Sequence, residues 1–247
     1  MVTEFDLIFE DFEAELKALE GMIASLATTG EGATSARARV AGANAATLLL
    51  AATFEEFVRQ EVRAVFTTKA ASAAAITDFP NKIAKAIWRR SLEGLARSPL
   101  DDLEAQSAEL EDKIRATIDF CIGKDVKADV SHAVAHNDNN MRPGQLNELF
   151  SQLGLTGMCG RSCAYEPLVA HLGCDTSGKA QEKLEQWLED FFRRRNEIAH
   201  AIQLNSSSGP PALASDISSF RLFGQALTVE SAKFCGLTSE MVPAALG

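Results

Sequence analysis

The sequence predicts an all-α protein, a bundle of about seven to eight helices. Apolar residues recur at intervals of three and four along most of the chain, which is the period of one face of an α-helix. No stretch of useful length shows the alternation of apolar and polar residues that is typical of a strand. With 247 residues, 46% of them hydrophobic, the chain can bury the core of one large domain. We therefore expect a single domain over residues 1–247 with its core at about 34–202.

Four helices are predicted in the first half of the chain. The first carries phenylalanine, leucine and isoleucine on one face and glutamate and lysine on the other. Glycine, serine and proline residues separate the helices, at Gly30 to Gly32, Ser98-Pro99 and Gly123. The predicted spans are Glu4 to Leu26, about Thr34 to Thr67, Asp78 through Leu92, and Asp101 or Asp102 through Cys121.

The second half begins with a polar, weakly periodic segment, residues 124–142, which we expect to be an exposed loop or short helix. Pro143 opens a short helix to Leu153, and Gly154 caps it. Residues 203–212, rich in serine, glycine and proline, are predicted to be a linker. A last helix, residues 213–234, should then pack back on the bundle.

The helix predicted at residues 184–202 contains the most informative break in a pattern. A guanidinium stands at position 195, where the next apolar residue of a core-facing stripe is expected. Such a charge costs free energy unless a partner or a ligand compensates it. The stripe, spaced alternately by four and three, consists of Leu184, Leu188, Phe191, Ile198 and Ile202.

Two polar residues follow Arg195 on the same helix. Asn196 is adjacent, and His200 carries an imidazole, the side chain type that titrates near neutral pH. At about 100° per residue, Asn196 and His200 lie about 40° apart, whereas Arg195 and His200 lie about 140° apart. Arg195 and His200 can therefore serve one ligand only in a groove that wraps around the helix, such as a groove between two copies related by a two-fold axis.

The hexapeptide from Arg195 to His200 resembles the R-[polar]-x-x-x-H signature of the HEPN superfamily, helical domains of which many are metal-independent endoribonucleases. The segments LLLAATFEEFVRQEV (Leu48 to Val62) and NNMRPGQLNELFSQLGL (Asn139 to Leu155) also resemble stretches of stand-alone bacterial HEPN proteins. The hexapeptide is the specific part. The resemblance implies a HEPN-like bundle, a homodimer with a composite site, and a role as a toxin or an antiviral defence effector.

Arginine, asparagine and histidine at close quarters suit the cleavage of RNA without a metal. The reaction needs a base for the ribose 2′-OH, an acid for the 5′-leaving oxygen and a cation for the charge on the phosphorane. We expect His200 to transfer the proton and Arg195 to hold the non-bridging oxygens with its fork of donors. Asn196 could orient the imidazole or contact the phosphate. Asparagines 137, 139 and 140 could contact ribose or phosphate beside the groove.

A carboxylate on an apolar face offers a partner for Arg195. Glu61 lies within about 20° of Phe54 and Val65, at the centre of the apolar arc of the second helix, so we expect Glu61 to pair with Arg195. Glu55 is the alternative, because the resemblance favours an acidic residue directly after the phenylalanine. Its position about 100° from Phe54 nevertheless indicates a solvated helix flank.

The net charge of −10 argues against binding nucleic acid through a general basic surface, so any RNA contact must be local. The densest basic run is Arg193, Arg194 and Arg195. Arg194 is a supporting site candidate. Arg193 and Arg194 are explained equally well as a cationic last turn that complements the helix dipole.

Two sets of residues have the composition of a metal site. His132 and His136 are four residues apart, but no third ligand is in register. A second set has C-x3-C and H-x2-C spacings, which depart from the usual C-x2-C knuckle. We therefore expect neither a metal nor another cofactor, and we expect buried or half-buried thiols. The second set is Cys159, Cys163, His171 and Cys174.

The cellular setting is inferred from composition. Five cysteines, an odd number, fit a reducing cytoplasm better than a disulfide framework. Because neither a leader nor a run of about 18 apolar residues is present, we expect a cytoplasmic protein without a membrane span. RNA is the expected partner, and the resemblance is compatible with an antitoxin or another operon partner.

Two other functions remain open. The first is a catalytically inactive helical domain that binds RNA or nucleotide, or that dimerises as a scaffold, and the acidic net charge favours it. The second is a zinc-stabilised helical adaptor, which depends on the residues from Cys159 to Cys174. Motifs of other enzymes, namely a Walker phosphate loop, GxGxxG, GxSxG and HExxH, do not occur.

Overall fold

A computed structural model of the chain describes residues 2–26, 35–97, 103–136, 140–200 and 209–239. Within these ranges it contains ten α-helices, one short 3-10 helix and no strand, which confirms the all-α class. The helices are α1 Glu4–Leu26, α2 Ala36–Ser72, α3 Ile83–Ala96, α4 Leu103–Cys121, α5 Ser131–Val134, α6 Pro143–Ser151, α7 Met158–Ser162, α8 Glu166–His171, α9 Ser177–His200 and α10 Pro210–Phe234. The three shortest, α5, α7 and α8, account for the excess over the predicted number.

The aromatic core joins α1, α2 and α10. Phe12 of α1 stacks on Phe57 of α2 with ring centroids 4.3 Å apart, and Phe54 of α2 lies 4.5 Å from Phe220 of α10. These rings belong to the apolar faces that the helical period predicts, and each is at most 3% exposed. Burial of apolar surface at this junction therefore sets the mutual orientation of the three helices.

Helix α2 is the central element and is longer than predicted. Ser35 caps its start, where its Oγ accepts a hydrogen bond from the backbone N–H of Ala38. The helix ends at Ser72 rather than near Thr67, because the last turns are rich in alanine, the best helix former. Lys127 closes this end by donating from Nζ to the carbonyl oxygens of Ala70 and Ala71, at 2.6 and 2.9 Å. Helix α2 packs against α1, α5, α6, α9 and α10.

The polar segment after α4 is less exposed than its sequence indicates. Val126, Val130 and Val134 are buried, and the short helix α5 docks on α2 and α3. The short-helix alternative is therefore confirmed by α5, but the expected exposure is wrong over this part, because three valines spaced four residues apart turn one side of the segment inward. The predicted helix start at Asp78 is also displaced. Asp78 instead ends a 3-10 helix, Ile76–Asp78, and accepts hydrogen bonds from the backbone N–H groups of two preceding alanines.

The later helices enclose the other side of α2. Helix α9 packs against α2, α6 and α7, and α10 packs against α1, α2, α7 and α8. Helix α10 begins at Pro210, since proline is favoured in the first turn of a helix. None of the helices in the described part of the chain combines the length and the hydropathy needed to cross a membrane.

Some predicted features lie outside the described residues. They are the interruption at Gly30 to Gly32, the break at Ser98-Pro99, the start of α4 at Asp101 or Asp102, residues 137–139, Ile202 with the following residues to 208, and the C-terminal residues from 240.

Candidate functional site

Arg195 lies where the apolar stripe of α9 leaves the core. Leu184, Leu188 and Phe191 are at most 1% exposed. Beyond them the helix emerges from the bundle: Arg195 is half-buried, and His200 is exposed. The arginine therefore stands at the boundary between core and solvent, where its aliphatic stem can pack while its guanidinium remains near the surface.

An asparagine from the segment before α6 meets the two polar residues of α9. Asn140 donates from Nδ2 to Oδ1 of Asn196 at 2.7 Å, and Arg195 donates from Nη1 to the same oxygen at 3.2 Å. Two donors converging on one amide oxygen hold the Asn196 side chain with its oxygen toward Arg195. Asn196 thus links the α9 arginine to the segment that precedes α6.

Glu55 of α2 lies near Arg195, and together with Arg59, Asn140 and Asn196 these residues form what we call the Arg195 cluster. Glu55 is 8% exposed, and its Oε2 is 3.6 Å from Nη2 of Arg59, one turn along the helix. Burial raises the pKa of Glu55, while the charges of Arg59 and Arg195 and the backbone N–H of Met141 oppose that rise. The predicted solvated flank is therefore wrong, because α6 and α9 both pack against α2 and cover this flank.

Glu61, six residues further along α2, faces α10 instead. It is fully buried, and its Oε1 accepts a hydrogen bond from Oγ1 of Thr228 at 2.8 Å. Burial raises the pKa of Glu61 to about 8, with Thr228 and Ser231 offsetting only part of the shift. The predicted pairing of Glu61 with Arg195 is wrong, since Glu61 faces α10 and accepts a hydrogen bond from Thr228 instead of pairing with a cation.

The arginine run of α9 divides among three environments. Arg194 donates from Nη2 to both carboxylate oxygens of Asp216 on α10, at 3.1 and 3.0 Å, and Trp187 donates to the same carboxylate at 3.1 Å. Arg193 is exposed and forms ion pairs along its own helix. Because α9 continues to His200, neither arginine belongs to a last turn that complements the helix dipole. Arg194 joins α9 to α10, which leaves Arg195 as the arginine of this run that faces Glu55.

Two residues near Arg195, Arg59 and Arg142, were not among the candidates from the sequence, whereas Asn140 was. Arg59 follows Glu55 by four residues, a spacing that places both on one face of a helix and could have indicated the pair. Arg142 forms an ion pair with Glu189 at 3.0 Å and connects the start of α6 to α9. Asn140 belongs to the asparagine run expected beside the groove, and it does contact Asn196.

The sequence matches the model of a known family. A family model described as RiboL-PSP-HEPN matches residues 10–228, from the first half of α1 to the last turns of α10. The chain belongs to this HEPN family. The matched range contains all three segments on which the resemblance was based, so membership in the HEPN superfamily is confirmed. Comparison with curated proteins and with solved structures gave no match.

In this HEPN protein, Cys159 and Cys163 are buried and His171 is hydrogen-bonded within the fold. Burial raises the thiol pKa of Cys159 to about 12 and that of Cys163 to about 11, so both side chains are neutral thiols in this fold. The Nε2 atom of His171 is hydrogen-bonded to Oγ of Ser219 at 2.9 Å. Over the described ranges, no three or more histidine, cysteine or carboxylate side chains are grouped to hold a metal ion.

Proposed function

We propose that this HEPN protein is a metal-independent endoribonuclease whose active site is completed by a second copy of the chain. One observation carries the proposal. Arg195 is half-buried, held through Asn196 by Asn140 and placed beside the buried carboxylate of Glu55, five residues before the exposed His200. An arginine that is held in position at the edge of the core, on the same helix as an accessible imidazole, is suited to binding a phosphodiester that the imidazole can help to cleave.

The proposed reaction uses the ribose 2′-hydroxyl as nucleophile. A base removes its proton, the 2′-oxygen forms a bond to phosphorus, and the bond from phosphorus to the 5′-oxygen breaks. An acid protonates the departing 5′-oxygen, so the products are a 2′,3′-cyclic phosphate and a 5′-hydroxyl. Arg195 binds the non-bridging oxygens and stabilises the charge that grows on them.

The proposal requires two copies because acid and base are separate roles. One chain presents one histidine at the end of α9, whereas the reaction moves one proton off the 2′-oxygen and another onto the 5′-oxygen. Imidazole performs both transfers near neutral pH. Two α9 helices related by a two-fold axis would bring both copies of His200 to one phosphate, with Arg195 on the flank of each helix.

Cleavage of labelled RNA in the presence of a chelator tests the proposal. We expect His200→Ala to reduce the rate about 10⁴-fold, because both proton transfers are affected. Arg195→Ala should reduce it about 100-fold, as loss of one stabilising donor group does. Arg193→Ala is the matched control on the same helix, and we expect its rate to stay within about twofold of the parent, since exposed ion pairs contribute little.

Several results would contradict the nuclease. They are a rate that chelator abolishes, cleavage of RNA whose 2′-hydroxyl is replaced by hydrogen, or full activity of His200→Ala. Circular dichroism and thermal midpoints of each variant confirm that the fold is intact. Activity should also depend on protein concentration across the monomer–dimer transition measured by sedimentation.

A catalytically inactive domain that binds RNA or scaffolds a partner is the second candidate. The net charge of −10 and the exposure of His200 within a single chain favour it. Saturable RNA binding without cleavage, unchanged in His200→Ala, would support this function and refute the first.

The cellular role proposed from the resemblance is that of a toxin or an antiviral effector in the cytoplasm, restrained by an antitoxin or operon partner. Expression of the parent chain should slow growth, and expression of His200→Ala should not. Equal growth of the two strains would contradict the toxin role.

A further inference from the structure

A second polar site lies in a cavity of about 230 Å³ between α3, α4 and the segment that begins with α5. No residue of the Arg195 cluster lines it. Among the lining residues that the structure describes, four carry a basic nitrogen-bearing side chain and one carries a carboxylate. The four are Arg90, Lys113, His132 and His136, and the carboxylate is Glu109. Two of these described groups, Arg90 and Lys113, are cations, and one, Glu109, is an anion.

Arg90 is the deepest of these groups. It is 6% exposed, and its Nη1 donates to the carbonyl oxygen of Val134 at 3.0 Å and to Oε1 of Gln152 at 2.6 Å. Both acceptors are neutral, and within the described part of the chain no carboxylate is within ion-pair distance of the guanidinium. A buried arginine normally has an anionic partner, because its desolvation is costly. The donors on Nε and Nη2 are therefore available to an anion in the cavity.

Lys113 and His132 line the same cavity as Arg90. Nζ of Lys113 is 2.6 Å from Oε1 of Glu109, but the glutamate side chain is 74% exposed and can turn into solvent when another anion competes. Burial lowers the pKa of His132, and the charge of Lys113 lowers it further. An anion placed between these groups would offset the charge of Lys113 and raise the pKa of His132.

We propose that this cavity binds a small oxyanion, namely inorganic phosphate or a terminal phosphate group. The planar fork of Arg90 matches the geometry of phosphate oxygens, and Lys113 adds a mobile point charge at the mouth. The volume lies below the range of about 300–1,000 Å³ that is typical of pockets for larger ligands. The site therefore accommodates a phosphate group rather than a whole nucleotide.

Nuclear magnetic resonance of the histidine ring protons in the full chain tests the proposal. Inorganic phosphate, exchanged for chloride at constant ionic strength, should shift the His132 resonances saturably and raise the pKa of His132. Lys113→Gln should weaken the phosphate affinity about tenfold, as loss of a charged donor does. The matched control is Lys17→Gln, which removes another exposed lysine that pairs with a glutamate four residues away, and it should not change the affinity.

A second variant changes the cavity in the opposite direction and leaves the buried Arg90 in place. Glu109→Gln removes the carboxylate that competes for Lys113, so phosphate should bind about threefold more tightly. A non-saturable shift, an unchanged His132 titration, or equal affinities in Lys113→Gln and the parent would overturn the proposal.

Two further probes distinguish the sources of the phosphate group. Adenosine monophosphate should produce the same His132 shift as inorganic phosphate and compete with it. A shift produced only by an RNA oligonucleotide would assign the cavity to an RNA path and refute the small-oxyanion site. None of these measurements depends on RNA cleavage, so the oxyanion site and the nuclease can fail separately.

Discussion

Two buried glutamates on α2 differ in what surrounds them. Glu55 lies among Arg59, Arg195 and a backbone N–H, in a cluster that reaches the surface at the end of α9. Glu61 is fully enclosed against α10, where hydroxyl groups are its neighbours and acidic residues of α1 raise its pKa further. The first carboxylate can help to orient a cation, whereas the second is neutral at pH 7 and behaves as a polar core residue.

These two glutamates show that the position of a residue on the apolar face of a helix does not reveal which groups surround it. A glutamate at the centre of an apolar arc indicates a costly charge, but protonation removes that cost as effectively as an ion pair does. A glutamate at the flank, which looks less constrained, can be covered by neighbouring helices and held near an arginine. Function therefore depends on which element packs over each carboxylate.

The largest expected effect concerns the stability of the Glu61 region. The folded chain keeps the Glu61 proton up to about pH 8, whereas the unfolded chain releases it near pH 4.5. Raising the pH through this window therefore favours unfolding, by about 4 kcal/mol in total at 1.36 kcal/mol per pH unit. Glu61→Gln cannot ionise and should lose this dependence. Urea denaturation at pH 5 and pH 8 measures the free energy of unfolding of parent and variant. If this free energy changes equally with pH in both proteins, Glu61 is ionised in the folded protein.

The next effect concerns the activity that depends on the Glu55 region. Glu55→Gln should lower the RNA cleavage rate about 100-fold, because Arg195 loses the charge that positions it. Glu61→Gln, the matched substitution on the same helix, should leave the rate within about twofold. Adding Glu55→Gln to Arg195→Ala should cost little more than Arg195→Ala alone, since coupled residues are not additive. Additive losses, or an equal loss in Glu61→Gln, would remove the functional distinction between the two carboxylates.

The smallest effect isolates the hydrogen bond to Glu61. Thr228→Val removes the hydroxyl that donates to Glu61. We expect the free energy of unfolding to fall by about 1 kcal/mol, which corresponds to a fall in Tm of about 2 to 4 °C. The pKa of Glu61 should rise further, so the pH dependence should extend to higher pH. Thr53→Val, on α2 with Glu61 but lining the groove between α1 and α2, is the control for the loss of a threonine hydroxyl. RNA cleavage should be unchanged in both variants, and a loss in Thr228→Val would connect Glu61 to the site.

Much of the fold was predictable because helical periodicity is a local property. The bounds of α1 agree with the prediction, and Phe54 and Phe57 occupy the apolar face as expected. The buried segment around Val130 was missed, since its valines are spaced too sparsely to outweigh the polar residues between them. Arg195, Asn196 and His200 were recognised because Arg195 interrupts the apolar stripe of α9. Asn140 was expected beside the groove, but its contact with Asn196 was not predicted.

The sequence by itself determined the helical class, the family, and the presence of a charged residue in the apolar stripe of α9, because each of these depends on spacing along one helix. The tertiary structure alone decided that Glu55 rather than Glu61 lies near Arg195, that Arg194 is bound to Asp216, and that Arg90 faces a cavity without a carboxylate partner among the described residues. These outcomes depend on which helices pack against one another, and such contacts join residues far apart in the chain, where helical period carries no information.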